Sequence, residues 1–373
     1  MKILHVINSI NERVGGQFFA LKNILLMEQK NGYKSEILTS FNNNISSDFI
    51  EKNKVHIFPF SFPKRFYNSK KAIKYLIENT KSFDLIVLHG VWSMLLYRAS
   101  FYAENANINI MMWPHGSLDP IDLKKKFLVK KILGKIFIKK MIGRLNLIAC
   151  TTLMEKQLLV TYGLKKKVLV CPLPVNNDSF TGRRSFFRKE HNLASDDFTF
   201  LFLSRIVLDK GLEMLIECMD KISKKHKVKL IVAGTGNKNY LKKIKKIVLR
   251  KKLNRFISFI GHVSNQKKAD AFKGCDCYVL PSRKENFGIA VVESMQHGTP
   301  VLISNRVYIK DEVARGDSGW VCEYSKQSLE DNLLYVTTNK TEYLKKQKNA
   351  KRVGNIFLPN NLILSYKKLY SSI

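Results

Sequence analysis

Strand-like and helix-like hydrophobic patterns alternate along this chain almost from end to end, and that alternation restricts the fold more than any other feature. "KILHVI" runs into "GGQFFALKNILLMEQKNG", which reads as a strand, a glycine turn, a helix and an Asn-Gly stop. "SEILTS", "KVHIFPF", "DLIVLHG", "NINIMMW", "LNLIACTT" and "KKVLVCP" read as further strands, with helices expected near 69–80 and 92–105. Such an order implies a parallel sheet covered by helices on both faces. The series breaks at "CPLPVNNDSF" (171–180), where two prolines and an Asn-Asn pair suggest a linker. It restarts with "FTFLFLS", "KVKLIVAG", "RFISFIG", "CDCYVL", "TPVLIS" and "SGWVCEY". The expectation is α/β: two doubly wound, Rossmann-like domains, 1–174 and 175–355, facing a central cleft, with 356–373 returning to the first. Ligands of such sheets bind outside the carboxyl ends of the strands, so chemistry is sought there.

Composition narrows the partners. Lys and Arg number 64 against 30 Asp and Glu, for a net charge of +34, which favours anionic partners. An abundance of Lys, Asn and Ile fits a plain compositional bias equally well. The six cysteines are scattered in apolar stretches, and Cys275 and Cys277 alternate along the expected strand "CDCYVL" without a second Cys/His pair at zinc-finger spacing. Buried thiols in a reducing compartment are the expectation. "MKILHVINSI" meets polar residues too early for a secretory signal, and no run approaches the roughly 20 apolar residues of a membrane span. A cytoplasmic protein is therefore expected.

Several strand ends carry reactive side chains. In "LSRIVLDKG", Arg205 leaves a strand and Lys210 precedes a helix, a fork of donors and a compact charge suited to a diphosphate. A solvated loop pair fits that spacing equally. Gly15-Gly16 lies between a strand and a helix, where backbone amides can approach an anion. "AGTGN" (233–237) reads first as a tight turn. His89-Gly90 and His115-Gly116 also end strands, with Pro114 making the loop at His115 irregular; each histidine is able to exchange a proton or to serve structurally.

"PSRKENFGIAVVESMQHGTPVLIS" (281–304) poses a sharper question, because Glu285 and Glu293 enter an otherwise apolar segment. Buried carboxylates need partners. Glu285 is expected in the loop above a strand and Glu293 inside the helix that Gly288 starts. Eight positions at about 100° each leave them roughly 80° apart around the axis. They make sense if each meets a different part of one elongated ligand, with the helix N-terminus at Phe287-Gly288 capping a phosphate.

"SRIVLDKG" followed by this segment resembles the C-terminal half of the retaining glycosyltransferases of family 4, which have the GT-B fold. The shared pattern is Glu285, Phe287-Gly288, Glu293 and Gly298-Thr299-Pro300-Val301. With Arg205, Lys210 and Gly15-Gly16 the resemblance covers most of the chain. It implies that Glu293 binds the nucleotide ribose, that Glu285 and the backbone of Asn286, Phe287 and Gly288 hold the donor hexose, and that Arg205 and Lys210 hold the diphosphate. Gly15 and Gly16 would lie against that phosphate, and His115 would be the cleft histidine. Catalysis would rest on His115, Glu285, Arg205 and Lys210. "NRVYIKDEV" after Ser304 departs from the Gly-Gly loop of many members. The implied reaction moves a hexose from a nucleotide-diphosphate sugar to a glycan acceptor in bacterial surface-polysaccharide synthesis. No cofactor or metal is expected, since no Asp-x-Asp pair sits suitably at a strand end and the cations can neutralise the leaving diphosphate.

"IDLKKKFLVKKILGKIFIKKMIGRL" (121–145) reads as a basic amphipathic helix for an anionic membrane surface, as a lipid-linked acceptor would require. The same pattern suits a helix packing its apolar stripe on the first domain. Two other functions remain open at this level: a sugar-nucleotide epimerase sharing the fold, and a nucleic-acid binder, for which no recognised motif appears.

Overall fold

The computed structural model describes residues 1–11, 16–40, 42–43, 45–60, 69–124, 134–176 and 180–373. The chain divides into two compact units, one formed by Met1–Pro174 with Pro359–Ile373, the other by Val175–Leu358.

Among the described residues the first unit holds a seven-stranded parallel sheet, in the order Val55–Ile57, Lys34–Thr39, Lys2–Ile7, Leu85–His89, Asn109–Trp113, Leu147–Cys150 and Val168–Val170. The order reverses at Lys2–Ile7, which pairs with Lys34–Thr39 on one side and Leu85–His89 on the other. Every residue of Leu85–His89 is buried, as a strand covered on both faces requires. Helix Gly16–Lys30 buries Phe18, Leu21, Ile24, Leu25 and Met27, a stripe at helical spacing, and ends at Gly32 with φ of 74°. Ser93 caps Met94–Asn105 by accepting from the Leu95 amide at 3.1 Å, and Thr152 caps Leu153–Thr161 through the Glu155 amide at 3.1 Å.

The second unit repeats the plan with the parallel order Ile257–Gly261, Val228–Ala233, Phe198–Leu203, Cys277–Leu280, Val301–Ser304 and Gly319–Cys322. Its order reverses at Phe198–Leu203, between Val228–Ala233 and Cys277–Leu280. Ligand sites of doubly wound sheets fall beyond the strand ends at such a reversal.

Two sequence expectations shift. Residues 356–358 stay with the second unit: the Val175 amide donates to the Phe357 carbonyl at 2.8 Å, and the Phe357 ring packs edge-on to Phe287 at 5.6 Å. Only Pro359–Ile373 joins the first, where the helix Pro359–Tyr370 buries Leu362, Tyr366, Leu369 and Tyr370. Cys275 lies before its strand, which starts at Cys277. Cys275 closes the helix Asn265–Gly274, and the intervening Asp276 is held by Arg184 at 2.7 Å and by the Thr199 amide at 2.7 Å. The six cysteines are buried free thiols.

The basic segment is seen only at its ends. Pro120–Lys124 is helical, 125–133 falls outside the described residues, Gly134–Ile138 forms a π-helical turn and Lys139–Arg144 is helical. Ile138, Met141 and Ile142 pack into the first unit's core while Lys139 and Lys140 stay exposed. This end behaves as a packing helix. Among the described residues no helix is long and apolar enough to cross a membrane.

Candidate active site

In the second unit, three loops beyond the strand ends are tied together by backbone. The Ile206 amide donates to the Thr235 carbonyl at 2.8 Å, and the Arg283 amide to the Asp209 carbonyl at 2.8 Å. The Ser282 hydroxyl donates to the carbonyls of Asp209 at 2.9 Å and Lys284 at 2.8 Å. Close approach explains the glycine at 211: its φ is 75°, and a Cβ there would overlap the Pro281 carbonyl oxygen. On the far side, the Glu285 amide donates to the Arg306 carbonyl at 3.1 Å and the Tyr308 amide to the Glu285 carbonyl at 3.0 Å. Glu285 is thereby held rigidly by the segment "NRVYIKDEV".

These loops bring Lys210 and Glu285 together. Lys210 is buried, and its ammonium donates to the Glu285 carboxylate as an ion pair. Arg205 is exposed on the same loop, and its guanidinium makes no ion pair among the described residues. After Glu285 the chain passes Asn286 and the buried Phe287 to Gly288, whose φ of 82° caps the helix Ile289–Gln296. One helical stretch later the Glu293 carboxylate meets Lys268 at 2.5 Å. That pair borders a recess lined by Asn176, Phe180, Lys268, Glu293, Gln296 and His297. Burial, reinforced by Lys268, Lys273 and Lys351, lowers the pKa of His297 to about 4.

The two glutamates have separate lysine partners, yet both act on Tyr278. Burial first, then the charges of Glu285 and Glu293, push the Tyr278 phenol well above its ordinary range, and its hydroxyl donates to the Leu203 carbonyl at 3.0 Å. Each acid is therefore compensated within the protein by a cation. The partners expected for them from sequence, sugar and ribose hydroxyls, would share these carboxylates with lysines.

In the first unit, His115 sits at φ of 50°, a left-handed conformation braced by the Gly116 amide donating to Glu155 at 2.7 Å. His115 continues a buried line. Its Nε2 lies 2.9 Å from His89 Nδ1, His89 Nε2 lies 2.9 Å from His5 Nδ1, and His5 Nε2 lies 2.8 Å from Glu28 Oε2. Glu28 also accepts from the hydroxyls of Ser35 at 2.5 Å and Tyr370. Burial lowers the pKa of His115 to about 4; burial, then His5 and His115, hold His89 well below the usual histidine value. Gly15 lies outside the described residues. Gly16 opens its helix, and a Cβ there would meet nothing within 4 Å, so the fold itself does not demand glycine.

Sequence reasoning missed Lys268, His5 and Glu28. His5 and Glu28 did carry a signal, each a lone ionisable residue in an apolar run ("ILHVI", "ILLMEQK"). Lys268 carried none in so lysine-rich a chain.

Residues 183–353 match the family described as Glycosyl transferases group 1. The uncharacterised glycosyltransferase MJ1178 of Methanocaldococcus jannaschii is 26% identical over 96% of this chain and 95% of its own length. MJ1607 of the same organism is 36% identical over 32% of this chain, a match spanning 30% of that protein. The capsular polysaccharide biosynthesis glycosyltransferase CapM of Staphylococcus aureus is 31% identical over 36% of this chain and 35% of its own. Among solved structures, Anabaena Alr3699/HepE in complex with UDP and glucose superposes with a TM-score of 0.80 over all of both chains at 17% identity. The chain has the GT-B fold and is similar to glycosyltransferases along almost its whole length. Its second unit carries the group 1 signature over nearly its whole length.

Proposed function

We propose that the protein transfers a hexose, with retention of configuration, from a nucleotide-diphosphate sugar to a lipid-linked glycan acceptor during surface-polysaccharide assembly. The observation that carries this reading is the Lys210–Glu285 pair at the reversal of the second sheet, with Arg205 on the same loop and a helix N-terminus at Gly288. Arg205 and Lys210 would hold the diphosphate and stabilise charge developing on it. Glu285 and the backbone of Asn286 to Gly288 would orient the hexose, and Glu293 would take the ribose hydroxyls. Gly15 and Gly16 would let the diphosphate approach a helix N-terminus, and His115 would hydrogen-bond substrate. In the reaction the bond from the anomeric carbon to the diphosphate oxygen breaks, and a bond to the acceptor oxygen forms on the same face. The acceptor's proton leaves with the nucleotide diphosphate. The role of CapM in capsular polysaccharide biosynthesis and the UDP and glucose of the HepE complex support this reading. The acceptor would be met at the inner face of the membrane through the lysines of 121–145.

The test is nucleotide-diphosphate release from a panel of nucleotide sugars, with lipid-linked and water-soluble glycan acceptors, in buffer containing EDTA. Acceptor-dependent release in EDTA, faster with the lipid-linked acceptor, is expected. Release without any acceptor, or activity restored only by manganese or magnesium, would contradict the mechanism as stated.

A further inference from the structure

We propose that Glu28, acting through His5 and His89, holds His115 in its Nε2–H tautomer, so that Nδ1 of His115 is offered to a sugar hydroxyl as a hydrogen-bond acceptor. The proposal rests on the reading that His115 meets substrate. Its basis is the polarity of the line of hydrogen bonds. A neutral imidazole has one donor nitrogen and one acceptor nitrogen, so fixing one end of a row of them fixes all. The fixed end is Glu28. The carboxylate is fully buried and already receives the hydroxyl protons of Ser35 and Tyr370, one on each oxygen, so it faces His5 as an acceptor.

Carrying a single ring proton, His5 then donates from Nε2, which leaves Nδ1 to accept from His89 Nε2. His89 Nδ1 in turn accepts from His115 Nε2. His5 and His89 are wholly buried, and low-polarity surroundings keep His89 and His115 neutral. The proton of His115 is thus committed inward, and Nδ1 makes no hydrogen bond among the described residues. The ring is held as well as the proton: His89 and His115 stack at 5.2 Å and 13°, and Trp113 lies beyond at 6.3 Å and 14°.

The consequence is chemical selectivity. A bare ring nitrogen accepts from a hydroxyl and is unfavourable beside a carboxylate, so a neutral hexose is preferred over a uronic acid at this point. Glu28, His5 and His89 are positioning residues, acting only through His115.

Nitrogen-15 NMR of the full-length protein with labelled histidine, assigned with His115→Gln, reads the tautomer directly. At pH 7 the His115 signals should show a protonated Nε2 and a bare Nδ1. A protonated Nδ1, or a rapid mixture of the two tautomers, would overturn the proposal without any variant. His89→Gln can still accept from His115 and donate to His5, whereas His89→Leu can do neither. The leucine variant should scramble the His115 tautomer and slow turnover about three- to tenfold, as expected for one lost neutral hydrogen bond, and the glutamine variant should restore most of both. An unchanged His115 spectrum in folded His89→Leu would also overturn it. Absence of sugar transfer in wild-type protein would sink the functional reading, while the wild-type imidazole spectrum would still decide the tautomer.

Discussion

Lys210 and Glu285 stand 75 positions apart in the chain and form one ion pair. Removing either partner leaves the other partly desolvated, so Lys210→Ala should cost more than an ordinary surface lysine. A hydrogen bond to a charged group contributes about 1.5–3 kcal/mol, and a loss in that range is expected in urea titrations. Lys268→Ala, which strips Glu293 of a more exposed partner, should cost less. Equal losses would mean that burial of Lys210 does not set its contribution. Both glutamates were legible from sequence as acids out of place in an apolar run. Their partners were not, because lysine is too common here to mark a position and a contact across 75 residues leaves no local pattern. The histidine line was hidden for the same reason, its members being 84, 26 and 23 positions apart.

At the scale of elements, the strands were legible because each is a short apolar run ended by a turn residue, and the parallel order followed from their alternation with helices. The basic segment left two readings open because composition alone gives a stripe of apolar residues and a face of lysines. Only packing reveals that Ile138, Met141 and Ile142 belong to the core. Glycines at strand ends looked alike in sequence, and the structure separates them. Gly211 and Gly234 have φ of 75° and 133° and would drive a Cβ into the carbonyl oxygens of Pro281 and Ser204, whereas Gly16 has open space around it. Gly211→Ala should therefore lower stability by about 1–3 kcal/mol through backbone strain and loosen the loop that holds Lys210. Gly16→Ala should leave the melting temperature unchanged or slightly raised, since alanine favours helix, while weakening nucleotide-sugar binding. A Gly16→Ala protein with full donor affinity would remove that glycine from the site.

The molecule as a whole should be sensitive to mild acid. His115 and His297 are held near pH 4 and His89 well below its ordinary value, against 6.5 for a histidine in the unfolded chain. Between those limits the unfolded chain binds more protons than the folded one, so stability rises with pH. The contribution is complete above about pH 6.5 and is lost as pH falls toward 4. Urea midpoints should be steady near pH 7 and above and decline from pH 6.5 to 4.5; an unchanged midpoint across that interval would mean that these rings are charged in the folded protein. Below pH 4 the paired carboxylates add to the loss, as with Asp270, whose pKa is depressed, against the burial that raises it, by Arg183 and Gln266.

The central claim is that one nucleotide sugar is divided between two acids, ribose on Glu293 and hexose on Glu285. Calorimetric titration of UDP, with GDP and ADP alongside, into Glu293→Gln and Glu285→Gln tests it most directly, after melting curves show both variants folded. Loss of a charged hydrogen-bond acceptor is worth roughly ten- to a hundredfold in affinity. Glu293→Gln should weaken the preferred nucleotide diphosphate by that factor. Glu285→Gln should bind it as wild type does and fail instead in sugar transfer. Equal weakening in both variants, or none in either, would contradict the division of the donor between them.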